Sequence, residues 1–237
     1  RLMSPYLSPK FVDAQAPLIR ALTGQAEMPK RETVVAGSVG HTLGHALGQL
    51  YVERYFPAKS RADAEAVLTD VRAELRQRLE QNTWLTAPTK AYALEKFDKI
   101  KIVVGYPDKW IDYSAVDVRR DDYFGDATRL NEFSRRRMLS RLGTPPAPDR
   151  FADPDHTLPT IVNAGYSPDM NGIEIPAAIL QPPFYDPKAD AAVNYCTLGA
   201  VIGHEFTHSL DSFGRLFEAN GALRAWWTPA GIAAFDE

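Results

Sequence analysis

Asp190-Ala-Ala-Val-Asn-Tyr-Cys196-Thr-Leu-Gly-Ala-Val-Ile-Gly-His204-Glu205-Phe-Thr-His208-Ser-Leu-Asp211 is the stretch on which the fold turns. An acidic residue heads a run rich in apolar and small side chains. This predicts a helix capped by Asp190 and reaching about Ser212, with Gly214 in the C-terminal capping position. Residues i and i+4 share a helix face, so His204 and His208 can reach one ion, and neutral imidazole is a preferred zinc ligand. Glu205 is offset by about 100°, beside the metal, where it can take a proton from zinc-bound water. Asp211 returns to the same face, where a carboxylate can accept the free ring N–H of a ligand histidine and fix its tautomer. The plainer reading is two ordinary helix histidines and an exposed Asp. The helical setting of the motif and the unfavourable dipole at a helix C-terminus argue against it.

A catalytic zinc site usually has three protein ligands and one open position. No third ligand is convincing here. His156 sits in an Asp153-Pro-Asp-His loop that reads as solvated surface, and Gly214 breaks the helix between the motif and Glu218. His41-Thr-Leu-Gly-His45 repeats the i, i+4 spacing without an acidic second residue, and reads as polar helix surface or a crevice contact. The single cysteine, Cys196, excludes an intrachain disulfide. Lying in an apolar run with no basic neighbour, it reads as packed and inert.

Outward from the motif, apolar spacing predicts helices over Arg31–Phe56, from a Ser60–Asp63 capping box to Asn82, from Thr86 to about Val103, and from Asp126 to Leu142. Thr160–Ala164 and Gly172–Ile175 read as a hairpin around the Ser167–Gly172 turn, and Thr144–Pro159 as surface loop. The class is therefore mainly α with a small β-sheet (α+β). The 237 residues suit one or two domains, with a natural joint at Gly105-Tyr-Pro-Asp108. A net charge of −3 gives no reason to expect nucleic acid. There is no apolar run long enough to span a bilayer and no visible signal peptide. The chain opens on Arg1-Leu-Met-Ser-Pro and ends soon after the helix-opening Thr228-Pro229, so it reads as cut at both ends.

Val162-Asn163-Ala164-Gly-Tyr166, Ile175-Pro-Ala-Ala-Ile-Leu-Gln-Pro-Pro183-Phe, Val193-Asn-Tyr195, Gly199-Ala-Val-Ile-Gly-His204-Glu205 and Trp226-Trp-Thr-Pro229 strongly resemble the neprilysin family of zinc metallopeptidases. Gly105-Tyr-Pro-Asp-Lys-Trp110 and Leu47-Gly-Gln-Leu-Tyr-Val52 extend the likeness over essentially the whole chain. The resemblance implies a zinc-dependent endopeptidase with one zinc ion, acting on oligopeptides through zinc-bound water activated by a glutamate. It implies part of a helical covering domain in residues 1–110 and the N-terminal part of a thermolysin-like catalytic domain in 111–237. His204 and His208 would bind zinc, Glu205 would be the catalytic base and Asp211 would orient a ligand histidine. Asn163 and Ala164 would bind the substrate backbone. The third ligand, a glutamate, is expected beyond residue 237, so the rest of the same polypeptide is needed to complete the site. An extracytoplasmic location, in a bacterial envelope or secreted, is expected too. Gly165 departs from the family, which usually has a bulky residue there. The alternatives are a non-catalytic peptide-binding relative, an inactive fragment, or a zinc hydrolase of another His-Glu-x-x-His lineage.

Overall fold

The computed structural model describes residues 6–144 and 158–236. In chain order it comprises α1 (Pro9–Thr23), α2 (Arg31–Thr42), α3 (Gly44–Tyr55), α4 (Ala58–Glu80), α5 (Ala87–Asp98), β1 (Lys101–Gly105), α6 (Tyr123–Leu139), β2 (Gly165–Ser167), β3 (Gly172–Pro176), α7 (Ala191–Asn194), α8 (Ala200–Thr207) and α9 (Pro229–Asp236). The class is α+β, as the sequence implies. The described residues form two compact units, one from 6–47 and 111–144, the other from 48–110 and 158–236, dividing inside α3.

The first unit holds α1, α2 and α6. Ser8-Pro9 opens α1, a helix the periodicity argument does not reach, and Gly24 closes it at φ 70°. α6 starts at Tyr123, earlier than Asp126, because the Asp122 carboxylate accepts the Gly125 amide at 3.0 Å. It ends at Leu139 rather than Leu142. The single helix expected over Arg31–Phe56 is broken at Leu43 (φ −118°, ψ 28°), between two glycines that weaken helix propensity, Gly40 and Gly44. His41 and His45 therefore lie on different helices, the first exposed and the second buried, and their spacing argument lapses.

The second unit carries the motif. Its sheet has the order β1-β3-β2, with β1 parallel to β3 (Lys101 opposite Gly172) and β2 antiparallel to it (Gly165 opposite Glu174). Three expectations are corrected here. α5 stops at Asp98, and Lys101–Val103, read as its end, belong to β1, where the β-branched Ile102 and Val103 suit a strand and the backbone pairs with β3. The first hairpin arm begins at Gly165, after Thr160–Ala164, and Asn171 closes the turn at φ 48°. α4 begins at Ala58 behind Pro57, so Ser60–Asp63 is no capping box. Asp63 instead accepts from Lys59 and from the Tyr185 hydroxyl, each at 2.6 Å.

The predicted long helix is capped by Asp190, whose carboxylate accepts the Ala192 amide at 2.8 Å. It then runs as α7, one wider π-type turn over Tyr195–Gly199, and α8. Leu198, Ile202 and Phe206 form its inward stripe, buried with Val67 and Leu68 of α4, Phe97 of α5, and Ile173 and Ile175 of β3. The Phe97 and Phe206 rings lie 5.0 Å apart. Burial of each such side chain contributes roughly 1.5–3 kcal/mol. Cys196 falls on the opposite side of the π turn and is exposed, which overturns its reading as a packed residue. α8 ends at Thr207, not Ser212, and Gly214 opens a separate 3-10 turn. Thr228 opens α9 as predicted, its hydroxyl accepting the Gly231 amide at 3.1 Å. Among the described residues no helix is long and apolar enough to cross a membrane.

Candidate active site

The inward stripe of α8 fixes what the helix turns outward. His204 and His208 project from the other face, their Nε2 atoms 2.9 Å apart and their rings at 83°. His208 Nδ1 lies 2.7 Å from Asp211 Oδ2. An ionised carboxylate only accepts, so the ring hydrogen belongs on Nδ1 and the neutral ring presents its Nε2 lone pair towards His204. Two imidazole nitrogens converging on one point, one of them oriented by a carboxylate, form a donor set that fits zinc. Among the described residues no group of three or more His, Cys, Asp and Glu side chains could hold a metal.

Asp211 reaches His208 by a route other than the helical spacing that predicts it. It lies past the end of α8, in a turn where its Oδ1 accepts the Phe213 amide at 2.9 Å and the Gly214 amide at 2.7 Å. Burial alone would raise its carboxyl. The hydrogen bonds from His208, Gly214 and Phe213 outweigh that and hold it below the usual carboxylate range.

Glu205 is 6% exposed. Burial pushes its carboxyl up, against the opposing pull of His208, His204 and a hydrogen bond from the Tyr166 backbone. A carboxyl group that is harder to ionise than a free one holds a proton more readily once it has taken one.

His204, Glu205, His208 and Asp211 face Asn163 and Ala164 across one cleft of about 380 Å³, bordered also by Gly165, Tyr166, Pro168 and Phe213. The six residues singled out in the sequence thus come together. β2 pairs only with β3, so its outer edge is open among the described strands. A Cβ added at Gly165 would meet nothing within 4 Å, so the cleft has spare room at that point. Glu218 is instead tied to Arg224 at 3.1 Å and is not among the residues that border the cleft, while His156 lies outside the described residues. Two contributors escape the motif reading, the Tyr166 backbone and Lys96. Lys96 carried a signal: it occupies the buried face of α5 with Thr89, Ala93 and Phe97, a charge at a core position.

A His-Glu-x-x-His helix packed beside an edge strand above an open cleft is a layout of metallopeptidases. Two family models, both described as Peptidase family M13, match residues 1–107 and 163–237. The chain belongs to this family, the neprilysin family. It is 34% identical to an endothelin-converting enzyme homolog of Locusta migratoria, over all of this chain and 33% of that protein. It is 32% identical to neprilysin-11 of Caenorhabditis elegans, over 98% of this chain and 28% of that one. Among solved structures it is similar to PepO from Lactobacillus rhamnosis (TM-score 0.90, 35% identity, 99% of this chain and 37% of that one). It is also similar to the Mycobacterium tuberculosis zinc metalloprotease ZMP1 in complex with an inhibitor (TM-score 0.86, 36% identity, 98% and 35%). The chain thus spans about a third of the length of the relatives it matches.

Proposed function

We propose that this chain supplies part of the active site of a zinc-dependent endopeptidase that cleaves oligopeptides. The observation that carries the reading is the convergence of His204 Nε2 and His208 Nε2 at 2.9 Å, with the other ring nitrogen of His208 held by Asp211. His204 and His208 would hold the ion, and the third ligand is expected in the polypeptide beyond residue 237. When bound, zinc supplies a Lewis acid that polarises a peptide carbonyl and acidifies water. Glu205, beside the two histidines and screened from solvent, takes the proton of the attacking water and passes it to the departing amine. Asp211 keeps His208 in the tautomer that leaves Nε2 free. Asn163 and Ala164, immediately before the open-edged β2, align an extended peptide by strand addition. In the same reading residues 1–110 belong to the helical covering domain and 111–237 to the catalytic domain, and the enzyme acts outside the cytoplasm, a location that the family likeness supports.

The test is Glu205→Gln in the intact polypeptide. Zinc content by metal analysis is expected to be unchanged, and cleavage of an internally quenched, end-blocked peptide to fall to background. Cleavage that persists in the zinc-loaded variant sinks the assignment of the base. Products trimmed only from free termini would favour an exopeptidase instead.

A further inference from the structure

Lys96 is fully buried, and no carboxylate forms an ion pair with it among the described residues. Its Nζ instead donates to two main-chain carbonyls, those of Gly214 and Phe217, each at 2.7 Å. Phe217 also accepts the Trp226 indole N–H at 3.0 Å, which fills both its lone pairs. The ammonium lies 6.0 Å above the Tyr166 ring and 5.9 Å from that of Trp226. Burying a lysine among aromatic rings is costly, and burial lowers its pKa to about 8 while Asp211 pulls the other way. A core position held at that cost, where Leu or Met would pack, calls for a role that a hydrocarbon cannot fill.

The contacts lead to the cleft from both ends of the residue. Gly214, whose carbonyl Lys96 holds, donates its own amide to Asp211 Oδ1, and Asp211 Oδ2 holds His208 Nδ1. The Lys96 carbonyl accepts the side-chain amide of Asn171 at 3.0 Å, and Asn171 accepts the Tyr166 hydroxyl at 2.8 Å. Tyr166 in turn supplies the backbone hydrogen bond to Glu205. We infer that Lys96 is a positioning residue of the active site: it pins the Gly214 turn so that Asp211 selects the Nδ1–H tautomer of His208. Its consequence for catalysis rests on the zinc reading of His208, but the tautomer selection does not.

A control is built into the same helix. Lys90 also donates to two main-chain carbonyls, Glu80 at 3.1 Å and Asn82 at 2.7 Å, at the far end of α4. The experiment is ¹⁵N NMR of the His208 ring in the metal-free 237-residue chain, comparing wild type, Lys96→Met and Lys90→Met. Lys96→Met is expected to lower the ratio of Nδ1–H to Nε2–H tautomer about fivefold, since loosening the Gly214 turn weakens the aligned carboxylate contact. Lys90→Met is expected to lower the unfolding midpoint and leave that ratio alone. Lys96→Gln keeps an N–H donor and is the milder replacement if the Met variant does not fold; the same shift, smaller, is expected. The proposal is overturned by a folded Lys96 variant with wild-type His208 shifts, or by an equal shift in Lys90→Met. It is also overturned if neither Lys96 variant folds, because the lysine would then hold the fold and not one turn of it. A chain that responds as expected while the intact polypeptide cleaves no peptide would refute the peptidase reading alone.

Discussion

Replacing Asp211 by asparagine separates the two tasks of its carboxylate. Oδ1 accepts the Phe213 and Gly214 amides, while Oδ2 faces His208 Nδ1. An asparagine has one acceptor oxygen. If it keeps the two amides, its NH₂ group points at His208, donor against donor, and the ring relieves the clash by moving its hydrogen from Nδ1 to Nε2. The lone pair is then lost from the nitrogen that faces His204. Removing a ligand-orienting partner of this kind typically costs 10–100-fold in metal affinity, about 1.4–2.8 kcal/mol. The turn itself should survive in Asp211→Asn. In Asp211→Ala all three hydrogen bonds go, and with the Asp211 side chain 36% exposed, water replaces part of the loss. About 2 kcal/mol of stability remains at stake, or roughly 4–8 °C in a chain of this size. The assays are zinc competition against a chelating dye in the intact polypeptide and thermal unfolding of both variants. Zinc affinity within twofold of wild type in Asp211→Asn would refute the reasoning, whatever happened to stability.

Three further outcomes are expected. Phe206→Ala removes a ring that is 1% exposed and packed at a tilt against Phe97, so it should cost about 3–5 kcal/mol, read as a lower denaturant midpoint at unchanged slope. The 237-residue chain alone, offering two imidazoles, should bind zinc about micromolar or more weakly, and brief chelation should strip it; nanomolar retention by calorimetry would mean that another ligand lies within it. Lys96 has a folded pKa lowered to about 8, below its unfolded value, so the folded state binds fewer protons between the two. Its contribution to stability is therefore fully present above the unfolded lysine pKa, near 10.4, and is lost as pH falls through about 8. The gain in stability from pH 8 to 10 should be larger in wild type than in Lys96→Met, measured by chemical denaturation at each pH.

The convergence of His204 and His208 was legible because its geometry is local. Four residues on a helix bring two side chains to one face whatever surrounds the helix. Asp211 was named for a contact it does make, although through a turn and not through helix periodicity, so the contact was readable and its mechanism was not. β1 was hidden because Ile100–Val104 continues the apolar run of α5, and only the parallel ladder to Gly172–Pro176 distinguishes strand from helix there. That partner lies far along the chain, beyond any window of periodicity. Leu43 breaks a helix whose apolar stripe runs straight through it, because a stripe records which face is buried and not whether the backbone is continuous. The exposure of Cys196 depends on the phase of the π turn, which composition does not encode.

That turn has a consequence for insertions and deletions. Tyr195–Gly199 holds one residue more than a regular helical turn needs, and each residue of a helix advances the side chains by about 100°. It works as a vernier between the start of the helix, anchored where Asn194 exchanges hydrogen bonds with the Asp186 backbone, and the end that faces the cleft. Deleting a single residue from it would restore an ordinary helix and swing the histidine pair away from the cleft by more than a quarter of a revolution. Substitutions that leave the count intact would keep the pair on target. The length of this segment is thus under tighter constraint than its composition.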